Sequence, residues 1–416
     1  MNICPKLLFL AWESPWPTHS GASLRSFGLL RELSKAFTVQ LLVLTRQPLS
    51  DAQQAELHRH AHSVIRVPLR DQQLQDRGRV LQRCAIRGLP YHSAVLHYSL
   101  AHSPEALHTI RYFPGVVFTS LGHWGSLVAD RPGPNWILNQ CDADVEFWRI
   151  YAAQASKASV RLAALINLGL SRALFPKVYR NVGHIVSVCE EDRQLTAALA
   201  HNTKIDVIEN GVDCSYYAPN REERQGPPRM LFTGTSVARN MRALHYFVRE
   251  VLPLVLRMLP SAELLVAGSF RPEAQAEFAT VPQVRFTGRV DDIRPYFDQS
   301  DLFVAPFQET HGSKLKLAEA MAMGMAIVST PQGIRGMPLI NNESVLVAQN
   351  PVEFAQLTTR LLLHRSDRQK LGEAARRKAL QYLDWPVLGK HLCEIVQLVQ
   401  KRASLPLHAV GRSYTR

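Results

Sequence analysis

Lys314, Lys316 and Glu319 are the residues of this chain whose types and spacing most directly suggest chemistry. They lie in the stretch Asp301 to Thr330, DLFVAPFQETHGSKLKLAEAMAMGMAIVST, which reads as strand, loop, helix, strand. A short apolar run from Leu302 to Phe307 gives way to Gly312 and Ser313, and a run of strong helix formers follows until Gly324. Ser313 is the expected N-cap. A helix that begins there directs free N–H groups and the positive end of its dipole at the loop in front. Cations in a first turn oppose that dipole, so two lysines there call for an anion between them. A diphosphate fits, shared by the backbone near Ser313 and Lys314 and by both ammonium groups. Glu319 follows Lys316 by about 4.5 Å of helix axis. Its carboxylate can take both hydroxyls of a ribose whose phosphates rest at the helix start.

Gly312-Ser313-Lys314-Leu315-Lys316, followed by Glu319-Ala320-Met321-Ala322-Met323-Gly324 and Ile327-Val328-Ser329-Thr330, resembles the donor site of GT-B retaining glycosyltransferases of the glycosyltransferase family 4-like group. The resemblance is closest to an exopolysaccharide sugar transferase branch whose loop lacks a sugar-holding Glu found in many members. That position is His311 here, and either His311 or Glu309 is available for the sugar contact.

The elements that must position these residues repeat along the chain. Lys6–Trp12 and Thr38–Thr45 are strand-length apolar runs on either side of a helical stretch from Ser23 to Lys35. The loop from Glu13 to Ala22, with Gly21 near its end and Arg25 in the first helical turn, resembles the Gly-rich loop that this family places toward acceptor and donor phosphate. Further strands are expected at Ser63–Leu69, Gly115–Leu121, Asn135–Cys141, Gly183–Cys189 and Lys204–Glu209, with one helical stretch from Ser93 to Tyr112. His123 follows one of these strands, at the carboxyl edge where an open parallel sheet binds ligands. Cys141-Asp142-Ala143-Asp144 continues as Val145-Glu146-Phe147-Trp148-Arg149 and resembles an Asp-x-Asp stretch of exopolysaccharide transferases, which implies an acceptor-side role for Asp142 and Asp144. Ala155 to Tyr179 is apolar and helical in bias, with expected interruptions at Gly169 and Pro176.

Asn210-Gly211-Val212-Asp213 resembles the turn by which family members leave their first domain, and residues 219–229 read as a linker. Beyond it strands and helices alternate again, at Met230–Thr235, Ala262–Gly268, Val284–Val290, Asp301–Phe307, Ala326–Thr330 and Val345–Ala348. Such alternation means a parallel sheet covered on both faces. Gly234 and the run Phe286-Thr287-Gly288-Arg289-Val290 resemble the glycine turns of the donor cleft, with Arg289 and Val290 against the base. Trp385-Pro386 marks a break before the last helix. The expected fold is therefore α/β, two Rossmann-like doubly wound parallel-sheet domains facing each other across a cleft. Residues 1–210, completed by helix 385–401, form the acceptor side, and residues 219–384 bind the nucleotide sugar.

Composition bounds the rest. The 416 residues are 46% hydrophobic and 20% charged, as in a folded globular protein. Six cysteines are scattered without a CxxC pair, and no His cluster has metal-ligand spacing. No strand is followed by the G-x-G-x-x-G of a dinucleotide-binding dehydrogenase. No apolar run of about 18 residues is uninterrupted, so no membrane span is expected. The net charge of +13 is unevenly placed. From Phe147 to Cys189 there are six basic residues and no acidic one, and between His58 and Arg87 seven arginines face Asp71 and Asp76. Such patches attract anionic surfaces. Without a recognisable nucleic-acid module, lipid is the expected partner.

The resemblance implies transfer of a sugar from a nucleotide-diphosphate sugar, UDP-linked in this expectation, to a glycan or lipid-linked acceptor. It implies retained configuration, no metal or other cofactor, and a place in exopolysaccharide biosynthesis. The expected location is cytoplasmic, with peripheral contact at the inner face of the membrane. Lys314, Lys316 and His123 are the expected catalytic residues. The alternative is a catalytically silent sugar-nucleotide or glycan-binding protein of the same fold.

Overall fold

Strands that are apolar on both faces can be buried only if helices cover both sides of their sheet, and this chain builds two such sheets. The computed structural model describes residues 5–404, apart from 19, 142–143, 201, 221–224 and 309–314. The first sheet contains β1 (Lys6–Ala11), β2 (Thr38–Thr45), β3 (Ser63–Pro68), β4 (Val116–Thr119), β5 (Gly133–Gln140), β6 (Val182–Ser187) and β7 (Ile205–Val207), in the order β3-β2-β1-β4-β5-β6-β7. Every pairing is parallel, with Leu7 opposite Val39 on one side and Val116 on the other. Leu7, Leu8, Phe9 and Leu10 are fully buried. The second sheet contains β8 (Arg229–Thr233), β9 (Glu263–Ala267), β10 (Val284–Phe286), β11 (Leu302–Ala305), β12 (Ala326–Ser329) and β13 (Leu346–Val347), ordered β10-β9-β8-β11-β12-β13 and again parallel throughout.

Two compact units result, one of residues 1–209 and 388–416, the other of residues 210–387. In each sheet the strand order runs outward from its first strand and then restarts on that strand's other side. The reversal falls between β1 and β4 in the first unit and between β8 and β11 in the second. Loops at the carboxyl ends of those strands flank the crevice where doubly wound sheets bind ligands.

Several local expectations need correction. Ser93–Tyr112 is two helices, Tyr91–Ala101 and Pro104–Tyr112, because Ser103-Pro104 starts a new one. β10 stops at Phe286, leaving Arg289 and Val290 beyond the strand, since Gly288 takes a positive φ of 70°. The first helix begins at Gly21 rather than Ser23, because Ser20 and Ser23 form a reciprocal capping box. Gly21 is thus helical rather than part of the loop. The expected breaks at Gly169 and Pro176 are absent. A single helix runs from Ala158 to Asn181, with Pro176 inside it, and is long and apolar enough to cross a membrane by length and composition. The scattered Arg161, Arg172 and Lys177 hid that length in the sequence.

Packing around the second sheet explains how the helix bearing Lys316 is held. Gly324 closes the Leu315–Ala322 helix with a φ of 60°, a conformation that glycine adopts without strain. Gly372, on the Arg365–Lys378 helix, passes so close that an added Cβ would sit 2.0 Å from the Gly324 carbonyl oxygen. From the same helix, Arg376 Nη1 donates to the carbonyl of Ala322 and, at 2.9 Å, to that of Tyr217. Backbone cannot yield as a side-chain tip does. Gly372→Ala is therefore expected to lower the denaturant midpoint of the second unit by an amount equivalent to about 3 kcal/mol, the upper end of overpacking costs. Gly78→Ala, on an exposed helix with no atom within 4 Å of the new Cβ, should be neutral or stabilising by about 0.5–1 kcal/mol. Equilibrium unfolding of both variants checks the contrast.

Candidate functional site

Lys316 sits one residue into the Leu315–Ala322 helix, at the strand reversal of the second sheet. Its Nζ donates to Asn240 Oδ1 at 2.7 Å and lies 5.5 and 4.9 Å from the ring centroids of Phe232 and Phe307. Phe232 belongs to β8 and Phe307 follows β11, so the two strands that flank the reversal wall the ammonium group. Asn240 Nδ2 donates to the Thr235 carbonyl at 3.0 Å, which ties the arrangement to the loop after β8. Gly234 in that loop has no spare room. A Cβ there would lie 2.8 Å from Asn240 Nδ2 and 3.4 Å from Lys316 Nζ.

Glu319, three residues on, accepts a hydrogen bond from the Tyr217 hydroxyl at 3.1 Å. Burial dominates the electrostatics of both groups. It lowers the Lys316 ammonium from 10.5 to about 7, with the nearby Arg239 guanidinium adding to the fall and Glu319 opposing it. Burial likewise raises Glu319 from 4.5 to about 7, against the Tyr217 hydrogen bond and Lys316. The direct partner of Lys316 Nζ among the described residues is the neutral Asn240 amide and not a carboxylate, so an incoming anion need displace no ion pair. Asn240 and Tyr217 were not singled out from sequence. Asn240 and Tyr217 are polar residues in no motif, and only the fold brings them to the helix start.

Lys314, His311, Gly312 and Ser313, together with Glu309, lie outside the described residues. Leu315 opens the described part of the helix. Arg289 is exposed and Val290 half-buried in the loop after β10.

In the first unit the structure joins two residues that the sequence placed apart. His123, in the short 3-10 helix Gly122–Val128 after β4, has its Nδ1 2.8 Å from Asp144 Oδ1. Gln140 Nε2 donates to Asp144 Oδ2 at 2.9 Å. Gly122 permits the approach, since a Cβ there would lie 2.3 Å from Gln140 Oε1 and 2.4 Å from Asp144 Oδ2. Asp144 thus fixes the His123 ring through one nitrogen and leaves Nε2 for another partner. The ring packs against Trp12 and His92, at centroid distances of 5.3 and 4.7 Å, at the reversal of this sheet. Burial, with His123 adjacent, lowers His92 to about 4, so His92 is a neutral wall. Asp142 lies outside the described residues, and Asp144 is engaged with His123 and Gln140.

Arg25 has a different surrounding from the one expected of an acceptor contact. Its guanidinium is buried and donates to Asn139 Oδ1 at 2.9 Å and to the Glu209 carbonyl at 2.8 Å. It fastens the first helix to the ends of the sheet and is 1% exposed, which leaves no face for an acceptor.

Residues 227–364 match the model of the family Glycosyl transferases group 1. The match contains Gly234, Asn240, Lys316 and Glu319. Sucrose-phosphate synthase from Thermosynechococcus elongatus superposes with a TM-score of 0.69 over 96% of this chain and 100% of its own, at 16% identity. The chain has the GT-B fold. Anabaena HepE in complex with UDP and glucose superposes with a TM-score of 0.61 over 95% of this chain and 100% of its own, at 13% identity. Such identities carry the fold alone. In sequence, the chain is 25% identical over 225 residues to the GDP-mannose-dependent monoacylated alpha-(1-6)-phosphatidylinositol monomannoside mannosyltransferase of Corynebacterium glutamicum, covering 49% of this chain and 59% of that one. A second curated relative is covered over 35% of its length. The chain therefore matches less than two thirds of either.

The paired shifts of Glu319 and Lys316 predict a pH signature. Glu319 is raised in the folded state, so its stabilising contribution is complete below about pH 4.5 and is lost as pH rises toward 7. Lys316 is lowered, so the unfolded chain binds the extra proton between about 7 and 10.5 and stability recovers as pH rises through that window. Glu319→Gln should gain stability relative to the parent as pH goes from 4.5 to 7, read by thermal unfolding of both proteins. Parallel pH profiles would contradict the assignment.

Proposed function

We propose that this protein is a glycosyltransferase that takes a sugar from a nucleotide-diphosphate donor, UDP-linked in our reading, and transfers it with retained configuration to a glycan or lipid-linked acceptor in exopolysaccharide biosynthesis. The observation that carries the proposal is the half-buried Lys316 ammonium at the strand reversal of the second sheet, hydrogen-bonded to an amide and followed three residues later by Glu319. That spacing suits a diphosphate at the helix start and a ribose beside the carboxylate. The Glycosyl transferases group 1 match over the same segment supports it. HepE binds UDP and glucose, and the mannosyltransferase relative is named for GDP-mannose and a phosphatidylinositol mannoside, which together support a nucleotide-sugar donor and a lipid-linked acceptor.

The acceptor hydroxyl attacks the anomeric carbon on the face from which the diphosphate departs. The C–O bond to the diphosphate breaks, and a diphosphate oxygen takes up the hydroxyl proton. Lys316, with Lys314 and the helix N-terminus, stabilises the charge that builds on the leaving group. Lysines perform the neutralisation that a divalent cation performs elsewhere, so transfer should persist in a chelator. His123, its tautomer set by Asp144, orients the acceptor hydroxyl through Nε2. His311 or Glu309 holds the donor sugar. The basic first unit draws the protein to the inner face of the membrane, where a lipid-linked acceptor resides.

A panel of UDP- and GDP-linked sugars tests the reading, with product anomers assigned by NMR. Release of nucleoside diphosphate only when acceptor is present supports transfer, whereas binding without release would identify a silent binder. An inverted anomer would overturn retention. Lys316→Ala is expected to lower turnover by about 10²–10³, the cost of one donor to developing charge, while Glu319→Ala should act chiefly on nucleotide affinity. Normal kinetics in both variants would place the site elsewhere.

A further inference from the structure

The Asp144–Gln154 and Ala158–Asn181 helices form a hairpin whose inner faces bury Trp148, Ala152, Ala164 and Leu168 in a small cluster of their own. The C-terminal half of the longer helix is committed to the first unit, with Leu174, Phe175, Val178 and Tyr179 in the main core. Its N-terminal half is not. Leu162, Leu165 and Ile166 are 61%, 48% and 55% exposed, and with Gly169 and Ala173 they form one outward stripe at helical spacing. Lys157, Arg161 and Arg172 border it, and no acid lies between Phe147 and Cys189.

A second helix carries the same pattern. Leu74 and Leu81 stand exposed on Leu74–Arg87, at 89% and 58%, while Val80, about a third of a turn round the helix, is buried. Arg77, Arg79 and Arg83 make no ion pair among the described residues. Arg77 donates to the Asp71 carbonyl, Arg79 donates to the Tyr98 hydroxyl, and Arg83 lies over the Tyr98 ring. Just past the Gly88 cap, the start of the Tyr91–Ala101 helix is tied to the longer hairpin helix, where Tyr91 N donates to Asn167 Oδ1 at 2.7 Å.

We propose that these two helices dock the first unit on an anionic lipid bilayer, with Leu162, Leu165, Ile166 and Leu81 entering the boundary between headgroups and acyl chains while the flanking arginines and lysines hold lipid phosphates. The proposal deepens the membrane part of the proposed function, on which it rests, and its test reads lipid binding rather than transfer. Charge decides the occupant. A second copy of this chain would bring two unpaired cationic faces together, whereas an anionic leaflet complements them and receives the apolar stripe. Insertion is shallow. The uncommitted half of the helix covers about 18 Å at 1.5 Å per residue, well short of the ~30 Å hydrocarbon core.

The experiment is flotation of the full chain with phosphatidylcholine vesicles, with and without about a third phosphatidylglycerol, at low and high salt. Wild-type protein is expected to float with anionic vesicles only, and added salt to leave a residual bound fraction. Leu162→Ser/Leu165→Ser/Ile166→Ser should abolish that residue and weaken low-salt binding at least tenfold. Arg161→Gln should weaken low-salt binding about fivefold. A fluorophore on Leu165→Cys should shift to the blue on anionic vesicles. Transfer to a soluble acceptor should be unchanged in the triple variant, so failed docking and failed transfer are told apart. Three results would overturn the proposal: no binding to anionic vesicles; binding abolished by salt and indifferent to the triple substitution; or a dimer that the triple substitution converts to monomer.

Discussion

A lysine ammonium held between two phenylalanine rings and an amide is the constraint around which the second unit is arranged. The arrangement favours the neutral amine, because rings and backbone replace water, and burial brings Lys316 down to about 7. A half-buried lysine keeps one position only where the surrounding structure fixes it. Gly234 leaves the space, Asn240 supplies the acceptor, and the Gly324–Gly372 contact with Arg376 anchors the helix. A diphosphate seated at this helix start would meet Lys316 without displacing a carboxylate from it among the described residues.

Fold and site were unequally legible in the sequence. Both sheets could be read because their central strands, such as Leu7–Leu10 and Phe303–Ala305, are apolar on both faces and separated by helix-length segments. Elements whose ends are set by one side chain were harder to read. A serine capping box moved the first helix to Gly21, and Ser103-Pro104 divided one expected helix into two. Pro176 misled in the opposite direction, since its helix continues through it.

At the site, spacing within one helix pointed to Lys316 and Glu319. Spacing said nothing of Asn240 or Tyr217, which arrive from 76 and 102 residues away in sequence. The same limit applies in the first unit. His123 and Asp144 were singled out separately, and only the adjacency of β4 and β5 makes them a pair. Arg25 shows the converse, because a basic residue beside a glycine loop looks available until its guanidinium is found fastened to Asn139 and the Glu209 carbonyl.

The central claim is that Lys316, its ammonium lowered by burial to about 7, takes up a proton when an anionic diphosphate binds beside it. Calorimetric titration with UDP or GDP at about pH 8, in buffers of different ionisation enthalpy, tests it most directly. Nucleotide phosphates are already fully ionised there, with their last pKa near 6, so protons taken up on binding must go to the protein. The account predicts net uptake approaching one proton, lost in Lys316→Met. Nucleotide binding with no proton uptake, or with the same uptake in Lys316→Met, would contradict it.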